Sequence, residues 1–584
     1  MWPLGLVAGL VALFSAVLSL HAADAASVHY VGTKGADDNP GSQSAPLLTI
    51  GAAVTQATAG DLVVVAAGVY REAVVLTRSG APGAPIIVRG LPGATLVSPD
   101  PSASLSAFDI AAGVSFVTVQ GFELTGGFAE TVFVRPGAHD VELAGLHVHH
   151  NHTGIWIAGA SDVVVRDTVL DHNFRTGVRI FSGAHHIHVV DSRSEANDDG
   201  EGCSGDSDGF NADPTTSDVW FERATAIGNS EDGFDLQGPN MVLLQVVAQD
   251  NGCSGVKMAG GGYMENVLVE RSRIGINVNA PAGGMTAIQN STLSQNDIGV
   301  RAIGSGHVVV MRNSIIAGPG KALCFPSAVQ VREDHNLLFR PLPSERLIVR
   351  EDTGGQTMYS GVDVNSGRWR RDSGQGEGTV YGDPRLDAGT CRLQPNSVAI
   401  DTGGTAGFAP VDLSGTLRPE GNGVDRGAFE WVPASPGLRV LRGVLHRDST
   451  GSGSVRLSAE MDVPAGWVFD PTRDRASVAL RGTRGTILRI EAPLAEQRCS
   501  AGARGTSLRM RDADGTGRST RMTLHVAAGR ATLRLTARAA DVWAADADGV
   551  DLSVELGALR ASTHETARQV KQTLYVLPCG GMGS

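Results

Sequence analysis

A chain of 584 residues has room for more than one domain. With 75 glycines and only 5% aromatic residues it does not read as a helical protein packed by large side chains, but as many short strands joined by tight turns. A net charge of −13 argues against nucleic acid as a partner, and a polyanionic ligand would need a local cation, from a metal or from clustered arginine, in order to dock.

In chain order, residues 4–20 are a largely apolar run followed by Ala23-Asp24-Ala25, the small-x-small pattern of a processing site. Residues 1–25 are therefore expected to be a signal peptide. Its basic charge would come from the terminal amine alone, and a single-span anchor is the alternative, although the run is short. No later stretch is apolar enough to span a membrane, so the mature chain is expected to be a secreted or cell-surface monomer, extracellular or periplasmic. Tyr30 to Gly41, an amphipathic stretch from Ile50 to Ala57, and the strand Leu62 to Ala66 then follow. This order resembles the opening segment of many bacterial β-helix proteins, in which the helix caps an otherwise unpaired sheet edge.

From about Val117 to Leu323 the chain repeats a short alternating strand, an Asn-rich turn, and a Gly that opens a second strand. The marker glycines stand at 154, 177, 209, 233, 255, 275 and 299, with intervals of 20–24 residues except for one of 32. Such a period with strands throughout predicts an all-β, right-handed parallel β-helix solenoid over residues 26–432. Asn151, Asn173, Asn229, Asn251 and Asn296 precede marker glycines by three or four residues and are expected to form a ladder of amides between coils. Segments at 383–386, 393–401 and 425–430 resemble the closing part of such proteins. Residues 433–437 read as a linker. Residues 438–584, with alternating strands but no coil period, read as a β-sandwich-like accessory domain.

Six cysteines (203, 253, 324, 391, 499 and 579) in an exported chain are compatible with three disulfides, for instance in sequential pairs. His147, His149, His150 and His152 look like a metal cluster, but no partner spacing supports a zinc site, so they read as turn and surface residues.

Aligned on their glycines, three successive coils read Ser207-Asp208-Gly209-Phe210-Asn211, Glu231-Asp232-Gly233-Phe234-Asp235 and Ser254-Gly255-Val256-Lys257. Neighbouring coils lie about 4.8 Å apart, which stacks Asp208 on Asp232 with Glu231 beside them. Two residues past each glycine, Arg179, Asn211, Asp235, Lys257, Asn277 and Arg301 are expected to form one exposed stripe, with Phe210, Phe234 and Val256 facing inward. Four clustered carboxylates call for a hard divalent cation, and Ca2+ accepts six to eight oxygens in loose geometry. Arg179, Asn211 and Asn277 are placed to contact substrate.

Lys257 is one of only four lysines among 48 basic residues. Lysine, unlike arginine, can lose its proton and act as a base; the plainer reading is an ion pair with Asp235. The chemistry this set serves is β-elimination on a uronic acid: the cation neutralises the substrate carboxylate, and Lys257 removes the proton α to it.

The three motifs, in this order on consecutive coils, resemble the core of the polysaccharide lyase family 9 pectate lyases. The resemblance spans roughly residues 28–432 and is tight over 200–262. It implies calcium ligands at Asp208, Glu231, Asp232 and Asp235, a catalytic base at Lys257, and an acidic polysaccharide, pectate foremost, as substrate. This chain departs from the family in having Glu231 where aspartate is usual, and in the acidic loop from Asn197 to Asp206. The alternatives are an alginate or glycosaminoglycan lyase or a uronate epimerase on the same scaffold, or a non-catalytic glycan-binding β-helix.

Overall fold

The computed structural model describes residues 27–341 and 346–432 in full, and beyond them the backbone of strands between 438 and 577. The expected signal peptide and linker, and the side chains of the expected β-sandwich, lie outside the described residues. The chain winds into three sheets of thirteen strands each. The first runs from Val28–Val31 to Gln330–Asp334, the second from Val74–Leu76 to Gly355–Tyr359, and the third from Gly68–Arg71 to Val380–Tyr381. Neighbours are parallel except at the end of the second sheet, where Ile348–Asp352 and Gly355–Tyr359 form an antiparallel pair. The core is the inside of this solenoid, filled by one side chain from every second position, and Val, Ile, Leu and Phe dominate it.

The α-helix Ile50–Gln56 closes the N-terminal end as expected. Thr49 caps it by accepting from Ala52 N, Glu72 accepts from the backbone N of Ile50 and Gly51, and Ile50, Ala53 and Val54 are buried against the first coils.

The marker glycines are glycines for a steric reason. A Cβ on Gly209 would meet the carbonyl O of Gly233 at 2.6 Å, and one on Gly233 would meet that of Gly255 at 2.6 Å. Coil-to-coil contact at this column is backbone on backbone. It sets the register, in which Ile155, Val178, Phe210, Phe234, Val256, Ile276 and Val300 all stack.

The asparagine ladder is present and continuous from Asn151 to Asn251. Each Oδ1 accepts the backbone N–H of the asparagine one coil earlier, as Asn173 does from Asn151 at 3.2 Å and Asn251 does from Asn229 at 3.1 Å. Asn197, which precedes its marker glycine by twelve residues because of the 198–206 insertion, takes its place in the series. The residue before each rung, His150, His172, Ala196, Gly228 or Asp250, adopts the left-handed conformation with φ of 50–63°. That conformation costs on the order of 1 kcal/mol in a non-glycine residue, and the ladder bonds offset it. Asn251→Ala removes an acceptor for Asn229 and a donor to Ala226 O in a buried setting. The expected loss is about 2 kcal/mol, read as a lower urea midpoint with an unchanged m-value.

The segment 383–430 does not stop at the end of the solenoid. It returns along the outer face of the third sheet: Asn313 Nδ2 donates to Gly404 O, Asn266 Nδ2 to Val411 O and Gln245 Nε2 to Asp412 O. Leu268, Ile315 and Leu337, which face away from the main core, are buried under Phe429, Ala428, Leu393 and Ala399. A fully buried pair, Arg418 and Glu430 at 2.6 Å, holds the strap, and Arg418 also donates to Asn266 Oδ1.

Cys203 and Cys253 form a disulfide, the first of the sequential pairs. Cys324 and Cys391 are free and buried, so the second pair is not formed. Cys324 lies on the second sheet, whereas Cys391 is enclosed between the strap and the third sheet. The side chains of Cys499 and Cys579 lie outside the described residues.

Candidate active site

Three successive strands of the second sheet carry the site: Phe210–Ala212, Phe234–Leu236 and Ser254–Met258. Their inward residues Phe210, Phe234 and Val256 are fully buried, and the two rings stack at 5.0 Å. With one face of each strand locked in the core, the alternate residues must project outward. Asn211, Asp235, Lys257 and Asn277 are in register there, between Arg179 on one side and Arg301 on the other.

The stripe is in register but not exposed throughout. Asn211 and Asp235 are 7% and 5% exposed. Asn211 Nδ2 donates to Asp208 Oδ2 at 2.9 Å, and Asp235 Oδ2 accepts from Lys257 Nζ at 2.9 Å and from Gln237 Nε2 at 2.8 Å. Outward direction does not give exposure where neighbouring coils meet over the side chain.

Asp208, Asp232 and Asp235, all buried, bring one oxygen each within 4.8 Å of one another. Asp208 Oδ1 accepts from Asp232 N at 3.1 Å, and Asp232 Oδ1 accepts from Ser254 N at 2.6 Å, so backbone N–H groups of successive coils aim both carboxylates. Glu231 stands half-buried beside this set rather than within it. Two unit charges at such a separation repel by roughly 3–4 kcal/mol at an effective dielectric of about 20. Lys257, 3.7 Å from Asp232 Oδ2, supplies a single countercharge.

The titration of the groups follows from this imbalance. Burial, and then the charges of Asp235, Asp232 and Glu231, hold Asp208 well above the ordinary carboxylate range. Burial and Asp232 push Glu231 up to about 7, and burial with Asp235 raises Asp232. Burial alone would lower Lys257, but the carboxylates of Asp235, Asp232 and Asp208 outweigh it and hold its proton more tightly than usual. Asp235 Oδ1 is buried and accepts no hydrogen bond among the described residues. An orphaned carboxylate oxygen in an all-oxygen, net-negative set fits a hard divalent cation such as calcium. Asp208, Asp232 and Asp235 would hold it, with Glu231 within reach of the rim.

The expected substrate contacts are placed less evenly. Asn277 is next to Lys257 in the stripe, and its Oδ1 is buried without a partner among the described residues. Arg179 is ion-paired to Asp206 of the acidic loop, which Arg175 also contacts at 3.2 Å. Asp199 is used within that loop, accepting from Asp206 N, Glu201 N and Ser207 Oγ. The Cys203–Cys253 disulfide ties the loop to the coil that bears Lys257. A cross-link enclosing 50 residues stabilises by about 4 kcal/mol on chain-entropy grounds.

Two aromatic residues went unremarked in the sequence. Phe133 and Trp156 continue the same outward column beyond Arg179, half-buried and edge to face at 5.9 Å. The signal was available, since Trp156 lies two residues past marker Gly154.

The parallel β-solenoid that carries this cluster has counterparts among known proteins. Residues 29–296 match the family described as Pel9A-like, right handed beta helix region, and this stretch is a Pel9A-like right-handed β-helix. Pectate lyase L of Dickeya chrysanthemi is 26% identical over 295 residues, 45% of this chain and 64% of that protein. Pectate lyase L of Dickeya dadantii is 26% identical over 296 residues with the same coverage. The chain thus matches just under two thirds of the length of these curated relatives. Among solved structures, that of pectate lyase Pel9A aligns over 70% of this chain and 97% of its own, at 20% identity and a TM-score of 0.42. A rhamnogalacturonan lyase aligns over 53% and 87%, at 17% identity and a TM-score of 0.39.

Proposed function

We infer that this protein is a calcium-dependent polysaccharide lyase that cleaves a uronate-containing polysaccharide, pectate foremost, by β-elimination with Lys257 as the base. The observation that carries the reading is the position of Lys257 Nζ, 2.9 Å from Asp235 and 3.7 Å from Asp232, at the rim of three buried carboxylates. The likeness to pectate lyase L supports it.

A bound calcium ion would supply neutralisation of the cluster and of the substrate carboxylate, making the neighbouring C–H bond more acidic. Lys257, in its neutral form, takes the proton α to the substrate carboxylate. The electron pair of that C–H bond becomes the new C=C bond. The glycosidic C–O bond breaks, and the leaving oxygen takes a proton from water. Asp232 and Asp235 position the Lys257 amine, and sharing their charge with a cation weakens the field that retains its proton. Phe133 and Trp156, on the same column, offer apolar faces against which sugar rings can stack. The Cys203–Cys253 disulfide accords with an oxidising, extracellular or periplasmic setting. No helix among the described residues is long and apolar enough to cross a membrane.

A second reading, a glycan-binding β-helix without turnover, is favoured by one observation: the Lys257–Asp235 ion pair, in which the amine serves as a counter-ion. A panel of polygalacturonate, alginate and glycosaminoglycans, assayed by the ultraviolet absorbance of the unsaturated product, tests the proposal. Product from one of them names the substrate class. Absorbance from none, with binding retained, favours the second reading; proton exchange into the uronate without cleavage points to an epimerase.

A further inference from the structure

We propose that Glu123, His147 and His149 form a separate metal site, for a borderline divalent ion of the Zn(II) kind, on the outer face of the third sheet. The histidine run carries no local ligand spacing, but coil stacking supplies the partners. His147 lies in register with Glu123 on one neighbouring coil, and His149 with Asp171 on the other. His149 Nε2 is 3.1 Å from Glu123 Oε1, and one ligand atom from each of Glu123, His147 and His149 falls within 4.8 Å of the other two.

The surrounding contacts have the form of a metal site's outer shell. Asp171 Oδ1 lies 2.6 Å from His147 Nε2, and its Oδ2 lies 2.7 Å from His172 Nδ1. A carboxylate that accepts a hydrogen bond from Nε2–H leaves Nδ1 of His147 with the lone pair that a metal requires, and it orients the ring. The rings of His147 and His149 are 4.3 Å apart. Zinc bonds of about 2.0–2.2 Å place tetrahedral ligand atoms a little over 3 Å apart. The His149–Glu123 pair already meets that spacing, and the ligand atom of His147 lies within 4.8 Å of both.

The plainer reading is a set of imidazole–carboxylate hydrogen bonds on a solvated face. Against it stands the convergence of two imidazoles and a carboxylate on one point, with a second carboxylate behind one of the rings. The strap that covers the third sheet in later coils packs on Leu268, Ile315 and Leu337, whereas His147 keeps 48% of its side chain exposed, so an ion has access. The donor set also separates the two sites chemically. The cluster on the second sheet offers only carboxylate oxygen and selects a hard cation, while two imidazoles with one carboxylate select a borderline one. Three protein ligands leave a further position to water. An ion there would clip consecutive coils together.

The test is a calorimetric zinc titration of the metal-stripped full chain in excess calcium, with cobalt(II) absorption as a second probe. One zinc per chain is expected, undisturbed by calcium, with the intense visible bands of a tetrahedral site when cobalt is used. His149→Ala should weaken zinc at least 100-fold, and Glu123→Gln, at a partly exposed position that leaves the fold intact, should also weaken it. Asp171→Asn should cost on the order of 10-fold or more, and Lys257→Ala nothing. The absence of zinc binding, or stoichiometric binding undiminished in a His147→Ala/His149→Ala double variant, would overturn the proposal.

Discussion

Lys257→Ala is expected to reduce turnover on the cleaved polysaccharide by about a thousandfold or more, toward the upper end of what a positioned proton acceptor contributes, while calcium binding is retained or strengthened. Lys257 is a countercharge as well as the proposed base, and only the first of these roles bears on the cation. Removing a positive charge 2.9 Å from Asp235 leaves the carboxylate set more negative and more attractive to calcium. Lys257→Arg separates the roles further. Arginine restores the charge but stays protonated at any accessible pH, so it should not restore the rate. Because the neighbouring carboxylates hold the Lys257 proton more tightly than usual, the free-base fraction grows with pH. The wild-type rate should climb close to tenfold per pH unit through the alkaline range until that group titrates. A rate within tenfold of wild type in Lys257→Ala would remove Lys257 from the mechanism.

The second large effect belongs to Asp208, and it changes sign with the cation. Asp208, Glu231 and Asp232 are all raised in the folded protein, so ionising them is harder folded than unfolded. Without a cation, this contribution to stability is fully present below the ordinary carboxylate range. It is lost as the pH rises through the raised values, up to about 7 for Glu231. Asp208→Asn removes one of these charges and keeps the geometry. Its Oδ1 can still accept from Asp232 N, and Asn211 can turn its amide to receive the new donor. The variant should therefore melt higher than wild type in chelator at pH 8. In calcium the order should reverse. At a hundredfold excess over Kd the wild type gains about 2.7 kcal/mol. Loss of one charged ligand should weaken calcium on the order of 100-fold, and the variant then gains only about 0.4 kcal/mol at the same concentration. Melting curves of both proteins with and without calcium decide it: equal calcium shifts would mean that Asp208 is not a ligand.

The site was legible where coil-to-coil contact is backbone on backbone. The marker glycines cannot be anything else, because the next coil's carbonyl occupies the place of a Cβ. Counting from them therefore brings Asp208, Asp232, Asp235 and Lys257 together on consecutive coils, as the structure has them. What the count could not give was burial. Asp235 points outward yet is closed over by Lys257 and Gln237, a matter of side-chain packing between coils. Asn197 escaped notice as a rung because an insertion parts it from its glycine, and Arg179 could not be seen to pair with Asp206 from that same insertion. The strap over the third sheet and the partners of His147 and His149 were hidden for a related reason. Glu123 and Asp171 are 26 and 24 residues from the rings they face, and a one-coil separation carries no local pattern.

The most direct test of the central claim is one experiment on the wild-type chain: the rate of unsaturated product formation from polygalacturonate, followed together with calcium occupancy across a calcium titration. A lyase organised around Asp208, Asp232, Asp235 and Lys257 should show a rate that rises in step with occupancy and vanishes in chelator. Product formed at an undiminished rate in chelator, or full calcium occupancy with no product from polygalacturonate, alginate or glycosaminoglycans, would contradict it.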